Sequence, residues 1–325
     1  MILKSLYIAS IFFSLTGFGS MSARFDAAIS RVEQGSVSKV EAHSQLISDL
    51  PAIEARPKIV SSGTLPNVLA EDYLLADLDS ATILLKQNMN AQVPIASTTK
   101  IMTALIALEN YKLKDIVTIS EKAAFQEGAD AYLIVDEKIT VGELLHCLLI
   151  KSGNDSAYAL AEHMNDNANN DVDSDKTKLF VAKMNEKAKE LGMKNTHYMD
   201  PAGLDTTGYS SAYDLFLVTR EALKQPTFRE IVKTKEYTAK SVDGKQFHAL
   251  NNSNRLVNEY DYPGAIGVKT GYMPEAGHCL VSAVERDGHT LIGVILNTTY
   301  DTAPASADES KKLLDFGFAN TEWQN

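Results

Sequence analysis

Residues 279–296 read Cys279-Leu280-Val281-Ser282-Ala283-Val284-Glu285-Arg286-Asp287-Gly288-His289-Thr290-Leu291-Ile292-Gly293-Val294-Ile295-Leu296. Two alternating apolar runs, Cys279 to Glu285 and His289 to Leu296, flank Arg286-Asp287-Gly288. Asp-Gly between such runs is a strong signal for a tight β-hairpin. Just upstream, Ile266-Gly267-Val268-Lys269-Thr270 reads as a short strand. Far away in sequence, Tyr73 to Leu85 reads as a second hairpin with its turn near Asp79-Ser80. Downstream, residues 305–316 form an amphipathic helix with Leu313, Leu314 and Phe316 on one face. Strands at both ends and helices between predict an α+β chain, with one antiparallel sheet assembled from the two termini. The helical middle then packs as a second lobe and leaves a cleft.

That middle is mostly helical. A helix opens at Ser97, with Ile101, Met102, Leu105, Ile106 and Leu108 apolar. Thr140 and Glu143 predict a capping box for a helix from Val141 to Ile150. Residues 155–164 and about 175–191 read as helices, the latter stopped by Gly192, and Ser211 caps another that runs to about Leu223. Residues 24–60 are weakly patterned and read as an extension of one or two short helices, broken by Pro51, Pro57 and Ser61-Ser62-Gly63.

Bulk properties narrow the function. The chain has 325 residues, 45% hydrophobic and 22% charged, which is ordinary globular composition for one or two domains. A net charge of -11 argues against a nucleic-acid partner. It also means that a pocket for an anionic substrate must carry its own cation. Lys4, the apolar stretch Ser5 to Leu15 and the small residues Gly17, Gly19, Ser20, Ser22 and Ala23 read as a signal peptide over residues 1–23. A buried N-terminal helix is the plainer alternative. The stretch is short for a membrane span. The two cysteines, Cys147 and Cys279, sit in apolar runs and read as free core thiols. No spacing of His or Cys matches a zinc site.

Three short strings carry chemistry: Ser97-Thr98-Thr99-Lys100, Ser152-Gly153-Asn154 and Lys269-Thr270-Gly271. A serine hydroxyl is a poor nucleophile until a base takes its proton. Lys100, three residues along a helix, lies on the same face as Ser97 and can reach it. To act as a base it must be neutral, which burial or a neighbouring cation such as Lys269 would favour. The backbone N–H of Ser97, near the positive end of the helix, suits an oxyanion. Ser152 offers a hydroxyl for proton transfer to a leaving amine, and Asn154 can donate to a substrate carbonyl. Lys269 and the Thr270 hydroxyl can hold a carboxylate, with Gly271 allowing close approach of a ligand backbone. Alone, each string has a plain reading: a capped surface helix with a solvated lysine, a helix-to-helix turn, an edge-strand lysine. Ser-x-x-Lys recurs at Ser36 to Lys39 in a segment that reads as incidental. The ordered set is what points to an acyl-serine enzyme.

Over about residues 70–319 the sequence resembles the penicillin-binding serine D-alanyl-D-alanine carboxypeptidases of low molecular mass. The likeness extends along Pro94-Ile95-Ala96-Ser97-Thr98-Thr99-Lys100-Ile101-Met102-Thr103-Ala104-Leu105, Leu149-Ile150-Lys151-Ser152-Gly153-Asn154-Asp155, Leu191 to Tyr198, Asp200-Pro201-Ala202-Gly203-Leu204-Asp205 and Gly267-Val268-Lys269-Thr270-Gly271-Tyr272. The resemblance implies a β-lactamase/transpeptidase-like fold, a five-stranded antiparallel sheet flanked by helices plus a mostly helical lobe, over a catalytic domain at 61–319 with a tail at 320–325. It implies catalytic Ser97, Lys100 and Ser152, and substrate-binding Asn154, Lys269, Thr270, Gly271 and Tyr272, with the Ser97 and Tyr272 N–H groups as oxyanion hole. The implied substrate is the D-Ala-D-Ala end of a peptidoglycan stem peptide, with β-lactams as covalent inhibitors and no metal or other cofactor. Many members add a C-terminal β-domain and an amphipathic anchor. The likeness here runs out near Trp323-Gln324-Asn325, so no stable membrane anchor is expected, and the expected location is periplasmic or secreted. Val135-Asp136-Glu137-Lys138-Ile139-Thr140-Val141 departs from the family pattern and is expected to be a loop. A D,D-endopeptidase would use the same residues. A class A β-lactamase has Ser-Asp-Asn and a deacylating glutamate, which the sequence does not match, and a non-catalytic β-lactam sensor would not need Ser97, Lys100 and Ser152 together.

Overall fold

The computed structural model describes residues 57–60, 64–164, 176–298, 302 and 304–323. The expected signal segment and most of the 24–60 extension lie outside them. Strands β1 (Lys58–Ile59), β2 (Ala70–Asp77) and β3 (Ile83–Gln87) lead into a 3-10 turn at Ala96–Thr99 and helix α1 (Lys100–Asn110). Then come β4 (Ile116–Thr118), α2 (Glu121–Ala124), β5 (Lys138–Thr140), α3 (Val141–His146), a π turn at Cys147–Lys151 and α4 (Asn154–Glu162). Helices α5 (Lys176–Glu190), α6 (Ala212–Ala222) and α7 (Pro226–Val232) follow, then β6 (Glu236–Lys240), β7 (Phe247–Asn251) and α8 (Arg255–Asn258). The chain ends in β8 (Ala265–Met273), β9 (Gly277–Arg286), β10 (His289–Thr298), α9 (Ala305–Asn320) and β11 (Thr321–Glu322).

The main sheet has the order β3-β2-β10-β9-β8, every pair antiparallel. It is the five-stranded sheet that the resemblance implies, built from both ends of the chain. Asp287 and Gly288 form the two-residue connection of β9 and β10, both at positive φ (52° and 80°), as the right-handed twist of a tight hairpin demands. Alternation sends the two faces of each strand into different cores. Leu280, Val284, Leu291, Ile295 and Leu75 meet Leu313 and Leu314 of α9. Val281, Ala283, Ile292, Val294 and Leu74 join the larger core with Met102, Ile106, Leu215 and Phe216 of α1 and α6. Each fully buried leucine or isoleucine of these faces contributes about 1.5–3 kcal/mol. The sheet is therefore a rigid floor between α9 and the helical lobe.

Several elements differ from the sequence reading. The strand around Lys269 runs over nine residues, to Met273, because Gly271 to Met273 pair with Gly277 to Cys279. The helix expected to continue to Ile150 is α-helical only to His146 and then widens into the π turn. Thr140 accepts from the Glu143 N–H, as a cap should. The segment expected as a loop before Thr140 contributes β5, paired with β4. The β6–β7 hairpin and α7 were not read at all. Lys58 and Ile59 pair with Glu322 and Thr321, which ties residues from outside 61–319 to the fold. Both cysteines are free and buried. Among the described residues no helix is long and apolar enough to cross a membrane.

Close approach of α9 to the sheet rests on Gly317. A Cβ there would lie 2.5 Å from Leu75 Cδ2 and 2.8 Å from Leu291 Cδ1. Gly317→Val should therefore cost about 1–3 kcal/mol by overpacking, read as a lowered midpoint in urea unfolding. An unchanged midpoint would show that α9 is not seated this closely.

Candidate active site

Ser97 does not cap the helix. It sits in the 3-10 turn that precedes α1, with no side-chain cap bond, and its hydroxyl faces Lys100 instead. Ala96 holds φ at 45°, a left-handed conformation that a non-glycine residue keeps only when its surroundings enforce it. The enforcement is visible. Thr98 Oγ1 donates to the Ile95 carbonyl at 2.8 Å, and Gly203 presses on the turn so closely that a Cβ at 203 would lie 2.0 Å from the Ala96 oxygen.

Lys100 is 0% exposed, which overturns the solvated-lysine reading. Its Nζ lies 2.8 Å from Ser97 Oγ, 2.7 Å from Asn154 Oδ1 and 2.7 Å from the Ala202 carbonyl oxygen. The amide oxygen and the carbonyl can only accept, so two N–H bonds point at them in either protonation state. When the amine is neutral, the third position is a lone pair facing the Ser97 hydroxyl. Burial brings the Lys100 pKa down to about 7, against the opposing pull of Asp200 and Asp155. Of the two causes read from sequence, burial and a neighbouring cation, burial is the one that dominates. The loop carrying Ala202 is organised by Asp200, whose two carboxylate oxygens accept the N–H groups of Ala202, Gly203, Leu204 and Asp205.

Ser152 follows the π turn with φ at 69°, another enforced left-handed residue. Lys269 Nζ donates to its Oγ at 2.8 Å and to the Thr270 carbonyl at 3.0 Å. Lys269 is thus buried well inside β8 rather than at a strand end, and burial first, then the charge of Lys100, holds its pKa well below the usual lysine value. Gly153 begins α4 where any side chain would collide: a Cβ would lie 2.5 Å from Asp155 Oδ1 and 2.7 Å from Ser156 Oγ. Asn154 gives its oxygen to Lys100 and its Nδ2 to the Glu127 carbonyl. A role for Asn154 as a lysine-positioning group was not read from sequence.

The third string runs past the nucleophile turn. A Cβ at Gly271 would lie 2.9 Å from the Ile95 oxygen and 3.2 Å from the Ser97 nitrogen, so β8 approaches Ser97 at backbone distance. Thr270 Oγ1 is 2.8 Å from Ser253 Oγ. Tyr272 is 51% exposed and stacks on His278 with ring centroids 4.3 Å apart. The structure therefore gathers Ser97, Lys100, Ser152, Asn154, Lys269, Thr270 and Gly271 around one pocket, with Tyr272 at its rim. Sequence reading missed the Ala202 carbonyl, because a backbone acceptor leaves no residue signature. It also missed Ser253, which no motif marks. Among the described residues no cluster of His, Cys, Asp and Glu could hold a metal ion.

Several known proteins are similar to this chain in sequence and in fold. A family profile described as D-alanyl-D-alanine carboxypeptidase matches residues 59–300. A D-alanyl-D-alanine carboxypeptidase from Streptomyces sp. strain K15 is 37% identical over 267 residues, covering 79% of this chain and 89% of the relative. The D-alanyl-D-alanine carboxypeptidase DacF of Bacillus subtilis is 37% identical over 259 residues, covering 78% of this chain and 63% of the relative's length. A D-alanyl-D-alanine endopeptidase of Haemophilus influenzae is 31% identical over 252 residues, with 77% and 82% covered. The crystal structure of the Streptomyces K15 DD-transpeptidase superposes with a TM-score of 0.72 at 37% identity, covering 79% of this chain and all of that one.

Because Lys100 accepts a proton only when neutral, the acid limb of the Ser97 acylation profile should rise with pH through about 7. Stopped-flow acylation by a chromogenic penicillin from pH 5 to 9 measures it. A flat profile, or an inflection near the ordinary lysine value, would contradict a buried base.

Proposed function

The chain belongs to the D-alanyl-D-alanine carboxypeptidase family, and from that premise we propose that it removes the terminal D-alanine of peptidoglycan stem peptides through an acyl-Ser97 intermediate. The observation that carries this reading is the contact of Lys100 Nζ with Ser97 Oγ at 2.8 Å inside a pocket that excludes the amine from solvent. Ser97 Oγ attacks the carbonyl carbon of the scissile amide while its proton passes to neutral Lys100. Negative charge develops on the carbonyl oxygen, beside the backbone N–H groups of Ser97 and Tyr272, which form the oxyanion hole in this reading. The amide C–N bond then breaks. The leaving D-alanine amine takes a proton through Ser152, and water attacks the ester to regenerate Ser97.

Lys269 and Thr270 hold the substrate's terminal carboxylate in this scheme. A depressed Lys269 pKa fits the role, because an arriving carboxylate supplies the counter-charge that the empty pocket lacks, and so favours the ammonium form. The chain's net charge of -11 repels anions at long range, which makes such a local cation necessary. The same acyl-serine chemistry accounts for covalent capture of β-lactams. A periplasmic or secreted location fits a wall substrate and the expected signal segment at 1–23. Cleavage of peptidoglycan cross-links is the second reading, supported by the likeness to the Haemophilus endopeptidase.

Ser97→Ala should abolish both penicillin labelling and D-alanine release, measured by gel fluorescence and an amino-acid assay. Label that persists on another residue would remove Ser97 from the scheme. Lys269→Ala should raise KM about tenfold or more for a peptide with a free C-terminal carboxylate, the loss of one charge-assisted hydrogen bond, and much less for its amide. Equal loss on both peptides would exclude the anchoring role.

A further inference from the structure

One buried titratable pair lies outside this scheme. His248 on β7 and Glu137 at the entry to β5 are 5% and 7% exposed, and His248 Nε2 lies 2.9 Å from Glu137 Oε1. A carboxylate only accepts, so Nε2 carries a proton in this contact, and the doubly protonated imidazolium adds the attraction of opposite charges. Removing one proton leaves a neutral ring against Glu137 and weakens the bond.

The segment that this pair grips reaches the active site from the other side. Glu137 Oε2 accepts the Ile134 N–H, closing the turn 134–137. The N–H groups of Ala131 and Leu133 both bond Asp155 Oδ2 at 3.1 Å. The Asn154 N–H bonds the Ala129 carbonyl at 2.7 Å, and Asn154 Nδ2 bonds the Glu127 carbonyl. Residues 127–137 are therefore fastened at one end to the residues that carry Asn154 and at the other to His248. We propose that His248, as an imidazolium paired with Glu137, is a positioning residue that clamps segment 127–137 onto the Ser152-Gly153-Asn154 turn and so holds Asn154 against Lys100. This rests on the reading of Ser97 and Lys100 as nucleophile and base.

The charged groups facing the ring are Glu137 and, from α4, Asp155, whose carboxyl is itself hydrogen-bonded to Asp130. The Glu137 bond comes first among the causes that raise the His248 pKa above its ordinary value. The sign of the pH effect follows. A raised folded pKa contributes stability that is full below about pH 6.5, the free histidine value, and is lost as pH climbs through the folded value. The clamp holds below about pH 6.5 and loosens as pH climbs through the raised His248 value, whereas Lys100 limits the rate on the acid side.

The test compares the full chain with His248→Gln and Glu137→Gln. Penicillin acylation, kcat and KM for a D-Ala-D-Ala peptide are measured across pH 5–9, together with amide hydrogen exchange. Each variant should lose about tenfold in kcat and in acylation rate, from one charge-assisted hydrogen bond, with KM within about twofold. Exchange should accelerate in segment 127–137 but not in β9 and β10, and the double variant should be little worse than either single one. Wild-type protein should show the same local acceleration, beyond the intrinsic pH effect, as the His248 ring proton signal titrates, so the clamp is testable even if a variant fails to fold. Wild-type rates and protection in both variants, or loss of protection spread evenly over the sheet, would overturn the proposal. A wild type that neither binds penicillin nor releases D-alanine would sink the enzymatic reading on which the proposal rests, while the exchange data would still judge the clamp by itself.

Discussion

The site depends on a lysine amine held out of water with two fixed acceptors and one hydroxyl around it. Burial disfavours the ammonium form, and among the described residues no carboxylate touches the nitrogen to restore it. The acceptors at Asn154 and Ala202 fix the direction of the remaining lone pair. Had a carboxylate taken either place, Lys100 would stay charged and Ser97 would have no base. The nearest acidic influences, Asp200 and Asp155, spend their oxygens on backbone N–H groups. Their charge still pulls the amine upward, and burial outweighs it.

Every other feature of the pocket serves this arrangement. The sheet supplies β8, which brings Gly271 against the Ser97 backbone. The helical lobe supplies Asn154 and Ser152 at a junction where the chain leaves a π turn in a left-handed conformation. The loop at 200–205 wraps a single carboxylate and thereby presents the Ala202 carbonyl. The left-handed backbone at Ala96 and Ser152 is held where surrounding packing over-determines local geometry. In the proposed scheme two lysines divide the work by environment: Lys100, enclosed by acceptors, transfers the proton, and Lys269, beside Ser152, holds the carboxylate.

The sheet was legible because its signals are local. Asp287-Gly288 dictates the turn, and strict alternation in β9 and β10 dictates the two buried faces. The helices read correctly where caps and apolar spacing coincide, as at Ser211, whose side chain accepts from Asp214. The π turn was not legible, because Leu144 to Ile150 is apolar nearly all round and carries no phase. The β6–β7 hairpin had a usable signal in Asp243-Gly244, with Ala239, His248 and Leu250 facing inward, but its strands are rich in polar residues. In the site, Ser97, Lys100, Ser152, Asn154 and Lys269 could be listed from sequence. What could not be read was the contact between them: the burial of Lys100 comes from residues 54 and 102 positions away. Of the two causes expected to keep Lys100 neutral, burial and a neighbouring cation, burial is the main one.

The most direct test of this account is the protonation state of Lys100 itself. Carbon-13 NMR of Lys100 Cε in lysine-labelled protein, assigned with Lys100→Arg, reports it without reference to substrate or rate. The account predicts a titration near 7. A Lys100 resonance that titrates near the ordinary lysine value of about 10.4 would contradict it, since an ammonium that stays charged at this position cannot take the serine proton.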